Sequence, residues 1–267
     1  MNTAKALPVL MYHHVSPSPG LVTVSPENFR AQMRWLAEHG WHTIGTRELE
    51  DFLAGQPLPH RAVMLTFDDG YLDNFVHAFP VLREYGLKAV IFVITGLIGE
   101  GGPRPQAPCP DHKTCKRLIT EGRADEVMLR FGELEAMQAS GHVEIQSHSH
   151  SHLRWDLQYP DPATRLARLA EDLQASRETL MKHLGHTPRH LCWPWGHLEA
   201  GYRETATRLG FGYQYTVERG TVTPRLSPTA LPRIAVRDEG GGWLARQCMI
   251  YRSPTLARLY GLLRATP

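Results

Sequence analysis

Two adjacent carboxylates, Asp68 and Asp69, follow the apolar run Ala62-Val63-Met64-Leu65, and Gly70 comes directly after them. Glycine reaches backbone conformations closed to other residues, so the chain can turn sharply there. Two acids at a strand end can divide the work, one on a metal ion and the other free as a base. Farther along, the apolar run Val143-Glu144-Ile145 leads into His148-Ser149-His150-Ser151-His152. One carboxylate and two imidazoles make three protein ligands and leave positions open for water, the donor set of a catalytic metal centre. On an extended strand His148 and His150 share a face, whereas a spacing of four needs a turn. Spacing alone therefore leaves the second histidine open.

These groups need a scaffold, and strand and helix signals alternate along most of the chain. Val9-Leu10-Met11-Tyr12 reads as a short buried strand ending in His13-His14, whose side chains alternation sends to opposite faces. Ser25-Pro26 is a helix start, with Phe29, Met33 and Leu36 at helical spacing and Gly40 as the stop. Further strands are expected at 41–44, 62–67, 88–94, 143–146, 191–193, 212–216 and 234–236. Helices are expected at 46–53, 73–85, 132–140, 164–184 and 202–209. From Thr95 to about Arg130 the periodicity is lost, and this segment reads as an inserted loop placed to lie over a site. Alternating β and α units predict a single α/β domain, a distorted and incomplete (β/α)7–8 barrel, with an open doubly wound sheet as the runner-up. His13, Asp68/Asp69, His148/His152 and Trp193-Pro194-Trp195-Gly196 each follow an expected strand. In a barrel those strand ends share the face where active sites are built.

The bulk properties exclude other classes. A chain of 267 residues with 42% hydrophobic residues can bury one large core. The formal charge of +2, with no dense Lys/Arg tract, gives no case for nucleic acid. The first residues lack the apolar core of a signal peptide, and no apolar run reaches the ~18–20 residues of a transmembrane helix. The expected location is cytoplasmic. Four cysteines do not make a disulfide scaffold in so long a chain. Cys109-Pro110-Asp111-His112-Lys113-Thr114-Cys115 has irregular ligand spacing and is read as a loop without metal. The run from Leu256 to Leu263, with Arg258 and Arg264, is read as an amphipathic helix packed on the barrel, with peripheral contact to the inner membrane face as the alternative.

At these motifs the chain resembles the polysaccharide deacetylases, the NodB-homology domain of carbohydrate esterase family four, from about Pro8 to Val236. Thr66-Phe67-Asp68-Asp69-Gly70 matches the family's first motif, and His148-Ser149-His150-Ser151-His152 fits the second. The resemblance implies Asp69, His148 and His152 as ligands of one divalent ion, zinc foremost, with Co, Ni, Mn or Fe also accepted. It implies Asp68 as the general base. Pro194-Trp195-Gly196 resembles the third motif and implies the Trp195 amide as an oxyanion donor. Tyr71, Trp193, Pro194 and Arg233 are expected to bind substrate.

Three departures stand out. The family's Arg two residues before the third-motif Pro is Cys192 here, with Arg189 off register, so Arg233 or Arg237 is expected to orient the base instead. No histidine follows His197 to serve as the usual late general acid. Met11-Tyr12-His13-His14-Val15 resembles instead the N-terminal segment of the poly-N-acetylglucosamine deacetylases, whose motif order is rotated, and implies His13 as the general acid.

The expected organisation is a catalytic domain over 8–240, with an insertion at about 96–130, and a helical C-terminal extension over 241–267. The expected function is metal-dependent removal of N-acetyl groups from a sugar in a surface polysaccharide or glycolipid precursor such as a lipopolysaccharide. Two alternatives are hydrolysis of another small amide, for example by deformylation, and a catalytically degenerate carbohydrate-binding protein.

Overall fold

A computed structural model describes residues 3–265 of the chain. Met1 and Asn2 of the N-terminal segment lie outside the described residues, as do the side chains of Leu263 and Arg264 in the expected C-terminal amphipathic run.

Seven parallel strands close into a barrel: β1 (Val9–Tyr12), β2 (Ala62–Phe67), β3 (Ala89–Val93), β4 (Val143–Ser147), β5 (His190–Cys192), β6 (Tyr213–Arg219) and β7 (Leu231–Ala235). Strand β1 completes the ring, pairing Leu10 with Leu65 of β2 and with Ile234 of β7. The expected strand at 41–44 is only His42–Thr43, an outer addition to β2. Helices Pro26–Glu38, Phe131–Ala139 and Pro162–Leu184 lie along the barrel wall. Helix Pro26–Glu38 begins where Ser25 accepts the Asn28 N–H and Pro26 sits at the first turn.

Side-chain parity divides the strands into two apolar clusters. Val9, Met64, Val90 and Phe92 pack together inside the barrel, whereas Leu10, Leu65, Ile91 and Val93 pack outward with Phe29, Met33 and Leu36. This alternation, a period of two, decides which side chains reach the barrel mouth. Asp68 continues the inward series of Met64 and Thr66, His13 that of Val9 and Met11, and Arg233 that of Leu231.

Two segments differ from expectation, and the region after 240 is helical as expected. The helix expected over 73–85 is a π-turn, Asn74–Ala78, running into Phe79–Glu84. Pro80 lacks an N–H and crowds the preceding turn, and a wider turn relieves both. The insertion holds a helix, His112–Thr120, whose Asp111 cap accepts the Lys113 and Thr114 N–H groups. The region after 240 forms helices Gly241–Tyr251 and Pro254–Ala265. Trp243, Leu244, Cys248 and Tyr251 belong to the same apolar cluster as Phe29 and Met33. No helix among the described residues is long and apolar enough to cross a membrane.

Candidate active site

The C-terminal ends of the strands converge on one cavity of about 550 Å³. Asp69 Oδ1 lies 3.3 Å from His148 Nε2 and 3.5 Å from His152 Nε2. Two donors each about 2.0–2.1 Å from a tetrahedral zinc ion would stand roughly 3.3–3.4 Å apart. The three residues therefore fit a single small cation. His148 Nδ1 donates to the Cys192 carbonyl at 2.7 Å, which leaves Nε2, directed at Asp69, as the ring nitrogen open to a cation. Such an outer hydrogen bond fixes tautomer and ring orientation in metal-binding histidines.

The loop between the two histidines is held from behind. Asp172, buried on helix Pro162–Leu184, accepts the His150 and Ser151 N–H groups at 3.1 and 2.9 Å. Ser149 Oγ accepts the His152 N–H at 3.0 Å. Those contacts fold the chain back so that His152 returns to His148, while His150 turns away to Thr95 Oγ1 at 3.0 Å. The tight path is visible in the backbone. Among the described residues, five non-glycine residues have positive φ: Val22 (53°), Asp69 (73°), Ser149 (68°), His152 (57°) and Trp195 (61°). Four of them belong to the three motifs and Val22 lines the cavity, the clustering expected where a structure imposes strain for function.

Asp68 sits beside this group, buried. Arg233 Nη1 and Nη2 donate to its two oxygens at 2.7 and 2.8 Å. The same guanidinium donates to the Thr216 carbonyl, Thr66 Oγ1 and Cys192 Sγ. Burial pushes the Asp68 carboxyl up, but the charge and hydrogen bonds of Arg233 outweigh it and hold the pKa down, to about 2. Burial likewise opposes ionised Asp69, and the hydrogen bond and charge of neighbouring histidines bring its pKa below the usual range. Burial disfavours a charged His148, yet Cys192 and Asp69 raise its pKa overall. Burial also pushes the Cys192 thiol up, so it is uncharged near neutrality and the Asp69 carboxylate is the group that favours the His148 proton. For His152, burial and then the His148 charge lower the pKa to about 4.

His13 faces the cavity with Nε2 3.8 Å from Asp68 Oδ2, and burial lowers its pKa. His14 points the other way, buried against Asp73 at 2.5 Å and stacked on Tyr71. Trp195 is 53% exposed on the rim, its Nε1 donating to the His152 carbonyl. Its backbone N–H has no acceptor among the described residues. Trp193 and Tyr71 are buried in the cavity wall.

Two expected substrate contacts are corrected by placement. Arg233 is 0% exposed and committed to Asp68, so it positions the base rather than meeting substrate. Pro194 lines a small neighbouring crevice with His197 and Tyr202 instead of the main cavity. Arg237 lies at the surface beside Glu239, and Arg189 pairs with Glu50. Arg233 thus reaches from β7 the place that the family's arginine would reach from the position of Cys192 on β5, and Cys192 Sγ lies 3.0 Å from its Nη2.

Sequence reasoning missed Asp172, His112 and Lys116. Asp172 was detectable as an acid within the apolar stripe Leu169-Leu173-Leu180. The other two follow from Asp111 as a helix cap ahead of Cys115, Leu118 and Ile119. Another His–carboxylate group, Asp156, His197 and Glu199, is neutralised by Arg154 and Arg165, which bind its two acids. All four cysteines are free, and Cys115 packs with Tyr71, Leu118, Val127 and Met128.

A barrel of this kind with an Asp-His-His group beside a clamped acid is the architecture of a polysaccharide deacetylase. The polysaccharide deacetylase family model matches residues 55–214, more than half of the chain, and the protein belongs to that family. Among its relatives are YxkH of Bacillus subtilis, 29% identical over 86% of this chain and 71% of the relative. The poly-β-1,6-N-acetyl-D-glucosamine N-deacetylase of Staphylococcus aureus is 24% identical over 81% of this chain and 69% of that protein. Solved structures with the same fold include IcaB from Ammonifex degensii (TM-score 0.72, 26% identity, 94% of this chain and 99% of that one). The deacetylase PplD of Streptococcus pyogenes, solved with acetate, gives a TM-score of 0.74 at 23% identity, covering 92% and 99%.

Proposed function

We propose that this protein is a metal-dependent N-deacetylase, hydrolysing the acetamido group of an N-acetylated sugar in a surface polysaccharide or glycolipid precursor. The observation that carries the proposal is the 3.3 and 3.5 Å spacing of Asp69, His148 and His152 beside Asp68. The similarity to the Staphylococcus aureus poly-β-1,6-N-acetyl-D-glucosamine N-deacetylase supports an acetylated glucosamine as the sugar. A divalent cation held by Asp69, His148 and His152, zinc foremost, would polarise the amide carbonyl and acidify water.

The chain's own residues then have distinct tasks. Asp68, ionised because Arg233 holds it, takes a proton from the attacking water. The unpartnered Trp195 N–H receives the carbonyl oxygen as it gains charge. His13 gives a proton to the leaving nitrogen. Trp195, exposed on the rim, offers a flat face to a sugar ring, and Trp193 is buried behind it in the wall.

We take 8–240 as the catalytic domain, including the insertion, and 241–267 as an extension that is helical over Gly241–Tyr251 and Pro254–Ala265. We place its action on a cytoplasmic precursor, and the exposed Leu256, Leu259 and Leu262 of the last helix support peripheral contact with a membrane face. The test is release of acetate and free amine from N-acetylglucosamine oligomers by zinc-loaded protein. No release from any N-acylated sugar, with metal bound, would overturn the proposal.

A further inference from the structure

The inserted helix His112–Thr120 turns one stripe to the cavity. His112, Lys116, Ile119 and Thr120 line it, at relative positions 0, 4, 7 and 8, a single helical face. The adjoining side buries Cys115 and Leu118 with Tyr71, Val127 and Met128. The helix is also tied to the barrel mouth through a chain of side chains: Asp73 to His14 at 2.5 Å, and His14 to His112 at 3.1 Å. It is an anchored wall of the pocket.

Lys116 crosses from this wall to the rim, its ammonium 4.5 Å from the centre of the Trp195 ring. Among the described residues no carboxylate pairs with it. The other charges in the cavity are spoken for: Asp68 is neutralised by Arg233, and Asp69 belongs to the cation set. A divalent ion less one carboxylate leaves one positive charge, and Lys116 adds a second. Met11, Leu21, Ile94, Leu97, Ile119 and Val217 supply much of the remaining lining, and apolar walls strengthen a charge interaction. A neutral sugar would leave the exposed ammonium with the aromatic face and solvent, and no anion.

We infer that Lys116 is an anion contact, and that the pocket takes an N-acylated sugar bearing a phosphate or carboxylate on the side facing the inserted helix. The inference deepens the deacetylase proposal and rests on it for the acyl sugar. His112, held by His14 and Asp73, stands one turn away on the same stripe to accept or donate a hydrogen bond to that group.

The test compares N-acetylglucosamine, its 1-phosphate and the corresponding uronate, by calorimetric titration of the zinc-loaded Asp68→Asn protein and by kcat/KM of the zinc-loaded wild type. At least one anionic sugar should bind roughly tenfold more tightly than the neutral one, the size of a charged hydrogen bond, and added salt should erode the preference. Preference for only the phosphate or only the uronate supports the inference and names the group. Lys116→Gln should abolish the preference and Lys116→Arg should keep most of it. Equal binding of all three sugars would overturn the inference. So would a preference that survives Lys116→Gln, which would assign the anion to the metal. Preference without turnover of any sugar would sink the deacetylase proposal alone. Turnover without preference would sink this one alone.

Discussion

Replacing Arg233 with leucine is the most informative single change. The guanidinium is fully buried and spends its donors on both oxygens of Asp68, the Thr216 carbonyl, Thr66 Oγ1 and Cys192 Sγ. Leucine would fill part of the space and leave Asp68 as a buried acid without its counter-charge. Breaking a buried pair by removing one partner costs about 3–5 kcal/mol. That is a large share of the roughly 5–15 kcal/mol that stabilises a native domain. At about 2–4 °C per kcal/mol for a chain near this size, melting should fall by roughly 10 °C. Activity should fall as well. With Arg233 gone, the Asp68 pKa rises, and the fork that fixes both carboxylate oxygens for proton transfer is lost. A loss on the order of 10²–10⁴ in kcat is expected, the usual worth of a general base. Arg233→Lys keeps the charge without the fork and should fall between. Adding Cys192→Arg to Arg233→Leu should recover part of the activity, because Cys192 Sγ already stands 3.5 Å from Asp68 Oδ2. The assays are thermal melts and acetate release on zinc-loaded proteins. An Arg233→Leu protein that melts within ~2 °C of wild type and keeps most of its kcat would refute the reasoning.

Asp68→Asn should retain bound metal but lose about 10²–10⁴ in kcat; near-normal turnover would remove Asp68 as the base. His13→Asn should lose a similar factor on an acetamide and much less on an aryl acetate, whose leaving group needs no proton. Equal losses on both substrates would argue against proton donation. His152→Ala should weaken zinc binding at least about tenfold, whereas His150→Ala should leave zinc content intact; the reverse result in elemental analysis would exchange their roles. Chelation should abolish hydrolysis, and zinc should restore it; activity unaffected by complete metal removal would contradict the proposed chemistry.

Much of the barrel was legible because parallel strands buried on both faces read as short apolar runs, and turns were marked by glycine and proline. Residues such as Gly40 and Gly86 end elements where expected. The alternation that separates His13 from His14 is also local, and it holds in three dimensions, where one faces the cavity and the other Asp73. What could not be read depends on contacts across the fold. The return of His152 to His148 needs Asp172 from a distant helix, and nothing in a five-residue motif announces that. Arg233 takes up a role vacated at position 192 because β5, β7 and β2 meet inside a closed barrel, a neighbourhood set by topology. The wall formed by His112–Thr120 was hidden by the proline-rich stretch before it, which masks a nine-residue helix with a good cap.

The most direct measurement is anomalous diffraction at the zinc edge from crystals of the zinc-loaded protein. One peak bonded by Asp69, His148 and His152, with Asp68 uncoordinated and still paired to Arg233, is the predicted result. A peak elsewhere, or a centre that recruits Asp68 or His150 in place of these ligands, would contradict the account.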